Sequence, residues 1–299
     1  MTSLAAPITS TDRLSPTQVT AVLALAQEAY AVDGVFPLDE QVLLRLRHGG
    51  EATHLLVADP SGALAGYAQL TVDAQGDATA ELVVRPERRR QGLGAAMVAA
   101  VTAAHPEGVL NWWAHGDHPA AAALAIGPGF GRVRSLWQLR RPLTTPLPQP
   151  RWPAGVVLRA FRPGSDDDAW LALNARAFAD HPEQGRWVGT DLRQRQTEEW
   201  FDPAGFLLAE RTADASIVGF HWTKVHADPA LGEVYVLGVD PAAHGLGLGR
   251  ALTLAGLHHL RERGLDTAML YVDESNVAAV ALYERLGFVR FGVDVSYQR

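Results

Sequence analysis

The chain has 299 residues, 47% hydrophobic and 20% charged, with a formal net charge of -7. These are globular values, the length suits two domains with separate cores, and the acidic balance excludes a general nucleic-acid surface. The absence of cysteine excludes a disulfide framework, thiolate metal sites and any acyl group carried on an enzyme thiol.

In chain order, the opening "MTSLAAPITSTDRLSP" has no basic stretch ahead of an apolar core, so no secretory signal is expected. No apolar run approaches the roughly 18–20 residues of a membrane span, and the expected location is cytoplasmic. An amphipathic segment, "TQVTAVLALAQEAY", leads to apolar strands in "HLLVADP" and "GALAGYAQLTV". "ELVVRPERRRQGLGAAMVAAV" follows as a strand, a glycine-bearing turn and an Ala-rich helix. The stretch at 140–155, "RRPLTTPLPQPRWPAG", holds five prolines and reads as a stiff, extended connector.

Beyond the connector the pattern recurs. "DDDAWLALNARAFADH" is the amphipathic start, "GFLLAERT" and "SIVGFHWTKVHA" are strands, and "VYVLGVDPAAHGLGLGRALTLAG" is again strand, turn and helix. That helix ends with Arg261 and Arg263 in its last turn and Gly264 at the C-cap. "MLYVDE" and a closing helix complete the half. Pro86 and Pro241 lie 155 positions apart, as do Gly94 and Gly249, while Gly129 and Gly287 are 158 apart. Landmarks in one order at nearly one offset indicate an internal duplication. The expected division is a first domain at 1–141, a connector at 142–154 and a second domain at 155–299. Strands outnumber helices early in each half. The expected class is therefore α/β (α+β), each domain a mostly antiparallel mixed sheet flanked by helices.

Gly245, Gly247 and Gly249 sit between a strand and a helix, where bare amides can hold a phosphate. A dinucleotide site needs a third spaced glycine and an acidic residue about 20 positions on, and a P-loop needs Lys-Ser/Thr after the glycines. "RALTLAGLHHLRERGLDT" supplies neither. What remains is Arg/Gln-x-x-Gly-x-Gly, a turn that holds a pyrophosphate at a helix N-terminus.

At these residues the chain resembles the GNAT acyltransferase superfamily, whose acetyl-CoA loop has this form. Arg89, Arg90, Gln91, Gly92, Leu93 and Gly94 match it closely, whereas the second loop has His244 at the Gln/Arg position. "DESNVAAVALYERLGF" resembles the family segment that flanks the CoA arm, with Asn276, Tyr283, Gly287 and Phe288 on its landmark positions. Alone, Tyr283 would read as a core aromatic on an amphipathic helix; its place in this segment favours a functional role.

Acetyl transfer to an amine needs a base for the amine and a proton donor for the departing thiolate. In "EVYVLGV", alternation puts Glu233, Tyr235, Leu237 and Val239 on one strand face, and Glu233 is the candidate base. By the repeat offsets, Glu233 corresponds to Ala78, Tyr283 to Ala125, and Glu81 to Val236 on the other strand face. The first half is thus expected to keep a phosphate loop without the catalytic groups. With no thiol to acylate, the transfer is expected to be direct.

Across essentially the whole chain, from "AVDGVFPLDEQVLLRLRHG" to "LYVDESNVAAVALYERLGF", the sequence is similar to the mycothiol synthase family of tandem GNAT enzymes. That resemblance implies acetyl transfer from acetyl-CoA to the cysteine amine of cysteinyl-glucosaminyl-inositol, with Glu233 as general base and Tyr283 as general acid. It implies amine contacts from Glu40, Glu183, Lys224, Glu233 and Tyr271, with Asp180 a poorer substitute for Glu183. Because Glu40 belongs to the first half, both halves are expected to contribute to amine binding. The implied acetyl-CoA contacts are Leu237, Gly238 and Val239, then His244, Gly245, Leu246, Gly247, Leu248, Gly249 and Arg250. Asn276, Val277, Ala278, Ala279, Val280 and Ala281 complete them. A second, non-catalytic acetyl-CoA site would use Leu82, Val83 and Val84 with Arg90, Gln91, Gly92, Leu93, Gly94 and Ala95. No metal, nucleic acid or membrane partner is expected, and the chain is expected to be monomeric. Two alternatives stay open: a tandem GNAT acetylating another small amine or a protein terminus, and a non-catalytic acetyl-CoA sensor.

Overall fold

The computed structural model describes residues 7–179, 181, 184–227 and 229–299. The elements run β1 (Ile8–Thr11), α1 (Pro16–Asp33), α2 (Glu40–His48), β2 (Thr53–Ala58), β3 (Leu64–Val72), β4 (Ala78–Val84), α3 (Leu93–Ala104), β5 (Leu110–Ala114), α4 (Pro119–Ile126) and β6 (Gly131–Pro142). They continue as β7 (Val156–Ala160), α5 (Asp167–Ala177), α6 (Gly189–Gln196), β8 (Phe206–Arg211), β9 (Ile217–Ala227), β10 (Ala230–Val239), α7 (Leu248–Glu262), β11 (Thr267–Asp273), α8 (Val277–Arg285) and β12 (Val289–Gln298). Local chemistry starts several of the helices. Ser15 and Gln18 form a capping box on α1, Asp39 caps α2, and Asn276 caps α8.

The chain forms two compact units, each an α/β layer of the expected kind. In the first, β1 to β4 pair antiparallel in sequence order, β4 and β5 pair parallel, and the C-terminal end of β12 pairs antiparallel with β5. In the second, β7 to β10 pair antiparallel in order and β10 pairs parallel with β11. The Trp137–Pro142 end of β6 lies beside β11.

The contents of the units depart from a cut at 142–154. Gly292–Arg299 belongs to the first unit, and the second begins at Trp137. Burial explains why. Val295 and Tyr297 lie in the first unit's core beside Trp112, while Leu139, Leu143 and Leu147 lie in the second unit's core beside Leu257 and Phe288. The proline-rich stretch is therefore anchored: Leu143 N–H donates to Asp266 O over 2.8 Å, and His258 Nε2 donates to Pro148 O over 3.0 Å.

Helix α7 lies against β9 at unusually close range. A Cβ added at Gly256 would overlap the His221 imidazole. That ring cannot swing away, because Nδ1 donates to Leu252 O over 2.7 Å, and burial lowers its pKa to about 4. Gly256→Ala should thus destabilise the protein by about 1–3 kcal/mol through overpacking, although Gly→Ala ordinarily favours a helix. Thermal denaturation of the variant checks this; a raised melting temperature would show that the contact yields.

Candidate active site

Glu233 lies near the middle of β10, 7% exposed, directly opposite Lys224 on β9 and Met269 on β11. Just beyond it the β9–β10 register shifts between Val234 and Val236, a bulge that inserts Tyr235. The bulge overturns the simple alternation. Leu237 and Val239 pack with Leu252 of α7, as Val234 packs with Leu254 and Leu257, so they face away from Glu233. Glu233 instead shares its face with Lys224 and Val236, and with Tyr271, two residues beyond Met269.

A gap opens between β10 and β11 where their parallel pairing ends. Strands β10 and β11 pair only over Gly232–Val234 and Ala268–Leu270. Beyond that point β10 runs on to Val239 with no ladder to β11, which leaves backbone donors and acceptors on Leu237–Val239 open toward the gap.

Aromatic side chains wall the Glu233 face. Tyr235 lies 5.0 Å from Trp200 and 6.3 Å from Trp187, ring to ring. The Lys224 ammonium sits 4.6 Å from the Trp200 ring and 5.1 Å from Tyr235, a cation–π arrangement that holds its charge in place. Beneath them Arg195, fully buried, stacks 3.7 Å over Trp187, and its Nε donates to the Tyr235 hydroxyl over 2.7 Å. The Tyr271 hydroxyl accepts from Gln138 Nε2 at 2.7 Å. Glu183 and Asp180 lie outside the described residues. Glu40 opens α2 in the first unit.

Tyr283 belongs to α8 and is 8% exposed, with Phe288 at 5.7 Å and the β10 residues Val234 and Leu237 in the same cluster. Burial pushes its phenol up to about 12, so it keeps its proton throughout the neutral range. If Tyr283 is the expected proton donor, Tyr283→Phe should lower turnover with little change in acetyl-CoA affinity, because such a donor acts only as thiolate develops. Wild-type turnover should also hold on the alkaline side toward pH 10, since this group does not ionise there. A loss confined to co-substrate binding would reduce Tyr283 to a packing residue.

The glycine turn has the expected geometry. Gly245 and Gly247 both have φ +80, Gly247 is the N-cap of α7 without a side-chain cap, and a Cβ at either glycine would meet nothing within 4 Å. Open backbone before a helix N-terminus suits a pyrophosphate. His244 turns back on the chain, its Nε2 donating to Val239 O over 3.2 Å. Arg250 follows in the first turn of α7, and the Asn276 side chain accepts from Ala279 N–H at 3.1 Å to open α8 at Val277.

The first unit repeats the turn but has neither Glu233 nor Tyr283 at the matching positions. Arg90 holds φ +62 at the position of Gly245, and Gly92 caps α3 at φ +85. Arg89 is committed to Asp33 by two 2.7 Å hydrogen bonds, which leaves Arg90 to present its charge. Strand β4 parts from β5 after Ala80, so Leu82, Val83 and Val84 occupy the analogous segment. There is no bulge in β4. Matching cross-strand partners, the counterpart of Glu233 is consequently Thr79 rather than Ala78: Thr79 faces Thr71 as Glu233 faces Lys224. Glu81 does correspond to Val236, but it shares the face of Thr79. Ala125 does stand where Tyr283 stands, each carbonyl accepting from the residue five places on. Neither Glu233 nor Tyr283 has a counterpart of its own type there.

Sequence reasoning missed Trp187, Trp200, Arg195 and His226. His226 was within reach, since it lies two residues past Lys224 and so on the same face. The tryptophans come from loops without periodicity.

Two mixed sheets, each with a parallel pair that parts beside a glycine-capped helix, define a tandem N-acetyltransferase of the GNAT type. Residues 169–288 match the model of the acetyltransferase (GNAT) family and residues 51–125 that of an acetyltransferase (GNAT) domain. The chain is 61% identical to a mycothiol acetyltransferase of Salinispora arenicola, covering 98% of this chain and 97% of that one. It is 60% identical to a mycothiol acetyltransferase of Thermobispora bispora, covering 96% and 98%. The chain belongs to the mycothiol acetyltransferase family. A GCN5-related N-acetyltransferase from Sphaerobacter thermophilus superposes with a TM-score of 0.74 at 26% identity, covering 98% of this chain and 95% of that one. A tandem GNAT protein from the clavulanic acid pathway, at 20% identity and covering 98% of each chain, shares the fold with a TM-score of 0.75. Among the described residues no helix is long and apolar enough to cross a membrane, and no group of three or more His, Asp or Glu could hold a metal ion.

Proposed function

We propose that this enzyme transfers the acetyl group of acetyl-CoA to the cysteine amine of cysteinyl-glucosaminyl-inositol, the last step of mycothiol biosynthesis, and that the second unit performs the chemistry. The observation that carries this reading is Glu233, a nearly buried carboxylate on the face of Lys224 and Tyr271, one residue before the point where β10 leaves β11. Glu233 accepts the amine proton, the amine nitrogen attacks the thioester carbon, the C–S bond breaks, and Tyr283 protonates the leaving sulfur. The turn His244–Arg250 and the Leu237–Val239 backbone hold the co-substrate. The first unit binds a second acetyl-CoA without turning it over.

The amine contacts of Glu40, Glu183, Lys224 and Tyr271 are part of this proposal. The aromatic wall supports a sugar-like acceptor, because flat rings beside a fixed charge suit a ring with one apolar and one polar side. The decisive experiment incubates the enzyme with acetyl-CoA and cysteinyl-glucosaminyl-inositol beside a panel of simple amines and peptide termini, read by mass spectrometry. Preferred acetylation of the cysteinyl amine is the expected result. Equal use of the panel would assign the enzyme to general amine acetylation, and no product at all would favour an acetyl-CoA sensor.

A further inference from the structure

We infer that His226 is a positioning residue for the base, holding the Glu233 carboxylate in the orientation from which it can take a proton. The inference rests on the reading of Glu233 as general base. His226 is on β9 opposite Leu231, and Glu233 is opposite Lys224, so the two are diagonal neighbours on one face of an antiparallel pair. His226 Nε2 donates to Glu233 Oε2 over 2.7 Å. Oε1 has no hydrogen bond among the described residues, so His226 sorts the two oxygens into one that is held and one that is available.

That sorting matters because the last torsion of a glutamate is broad and has no strong preference of its own. A carboxylate in water is oriented by solvent, but Glu233 is 7% exposed. One charge-assisted hydrogen bond at this distance is then the main restraint on the plane of the carboxylate. The His226 side chain, 31% exposed, reaches from that bond toward solvent, whereas the Glu233 side chain is 9% exposed. In the reaction the amine N–H bond breaks, its electron pair forms the new amide bond, and the proton goes to Oε1. His226 touches none of the reacting atoms in this scheme and acts through Glu233.

The test is a double-mutant cycle measured as full kinetics. His226→Leu removes the donor, His226→Gln keeps an N–H at similar reach, and each is made alone and together with Glu233→Ala. His226→Leu should lower kcat roughly ten- to a hundredfold, leave the KM for acetyl-CoA unchanged, and be largely rescued in His226→Gln. In the Glu233→Ala background, His226→Leu should cost nothing further, because there is no carboxylate left to hold. Wild-type kcat in His226→Leu, or the same loss in both backgrounds, would overturn the inference. If Glu233→Ala alone kept wild-type turnover, the base assignment would fail first, and the two failures are distinguishable. Thermal melts of all variants separate loss of fold from loss of orientation.

Discussion

Replacing Glu233, the proposed general base, with glutamine is expected to lower turnover by about 10²–10⁴-fold, the range that a positioned general base supplies. Glutamine keeps the size of the side chain and can still accept from His226, so the effect isolates the loss of a proton acceptor. The loss should be steepest at low pH. A cysteinyl α-amine titrates near 7.7–8.0 unperturbed; below that range it arrives as ammonium and has no lone pair until a base removes its proton. Above it the amine is already neutral, and the variant should recover part of its rate. Steady-state kinetics of wild type and Glu233→Gln between about pH 6 and 9 show the difference. Parallel profiles at equal rates would remove Glu233 from the mechanism. Because the second unit contains Lys224, Tyr271, Tyr283 and the glycine turn on its own elements, acetyl-CoA binding should survive in this variant.

The second large effect concerns which piece of the chain can fold. The fragment 155–299, the natural cut by sequence, should give no cooperative unfolding transition. It lacks Leu139, Leu143 and Leu147, which are 2%, 0% and 8% exposed in the second unit's core. It also lacks Arg141, whose guanidinium donates to Leu286 O just past the end of α8, and the strand segment beside β11. Removing a buried leucine to alanine costs about 2–5 kcal/mol, so three full deletions reach the 5–15 kcal/mol that stabilises a whole domain. At the other end, residues 292–299 would be left without the first unit's core that Val295 and Tyr297 complete. A fragment spanning 137–291 retains the second unit's own residues and should melt cooperatively. Circular dichroism and calorimetry on both fragments decide the matter. A sharp transition in 155–299 comparable to that of 137–291 would mean that the connector leucines contribute little.

Much of the site was legible because it is local. The turn from Pro241 to Gly249 needs positive φ at Gly245 and Gly247, and glycine at that spacing announces it. The duplicate turn is legible for the same reason, and its one departure, Arg90 at φ +62, is a position where a non-glycine residue bears a backbone cost. That the first half lacks counterparts of Glu233 and Tyr283 was also legible in outline: Ala125 stands where Tyr283 stands, and no carboxylate stands where Glu233 does.

What failed was parity. The alternation of "EVYVLGV" placed Leu237 and Val239 beside Glu233, and the repeat offset made Ala78 its counterpart. Both statements are wrong by one residue, for one reason. The bulge at Tyr235 adds a residue to β10 that β4 does not have, and a single inserted residue turns every later side chain to the opposite face. Nothing in the local sequence marks it, since Tyr235 suits a strand as well as a bulge.

The sequence by itself determined the duplication, the two strand–turn–helix units with their anion-ready glycines, the family, and Glu233 and Tyr283 as the residues to question. Each is carried by neighbours in the chain or by a repeated pattern. Only the tertiary structure decided the bulge that sets the faces of β10, the His226 bond to Glu233, the aromatic wall around Lys224, and the exchange of Trp137–Pro142 and Gly292–Arg299 between the halves of the sequence. These depend on pairing and packing between segments far apart in the chain, where burial and cross-strand register, rather than local preference, select the partner.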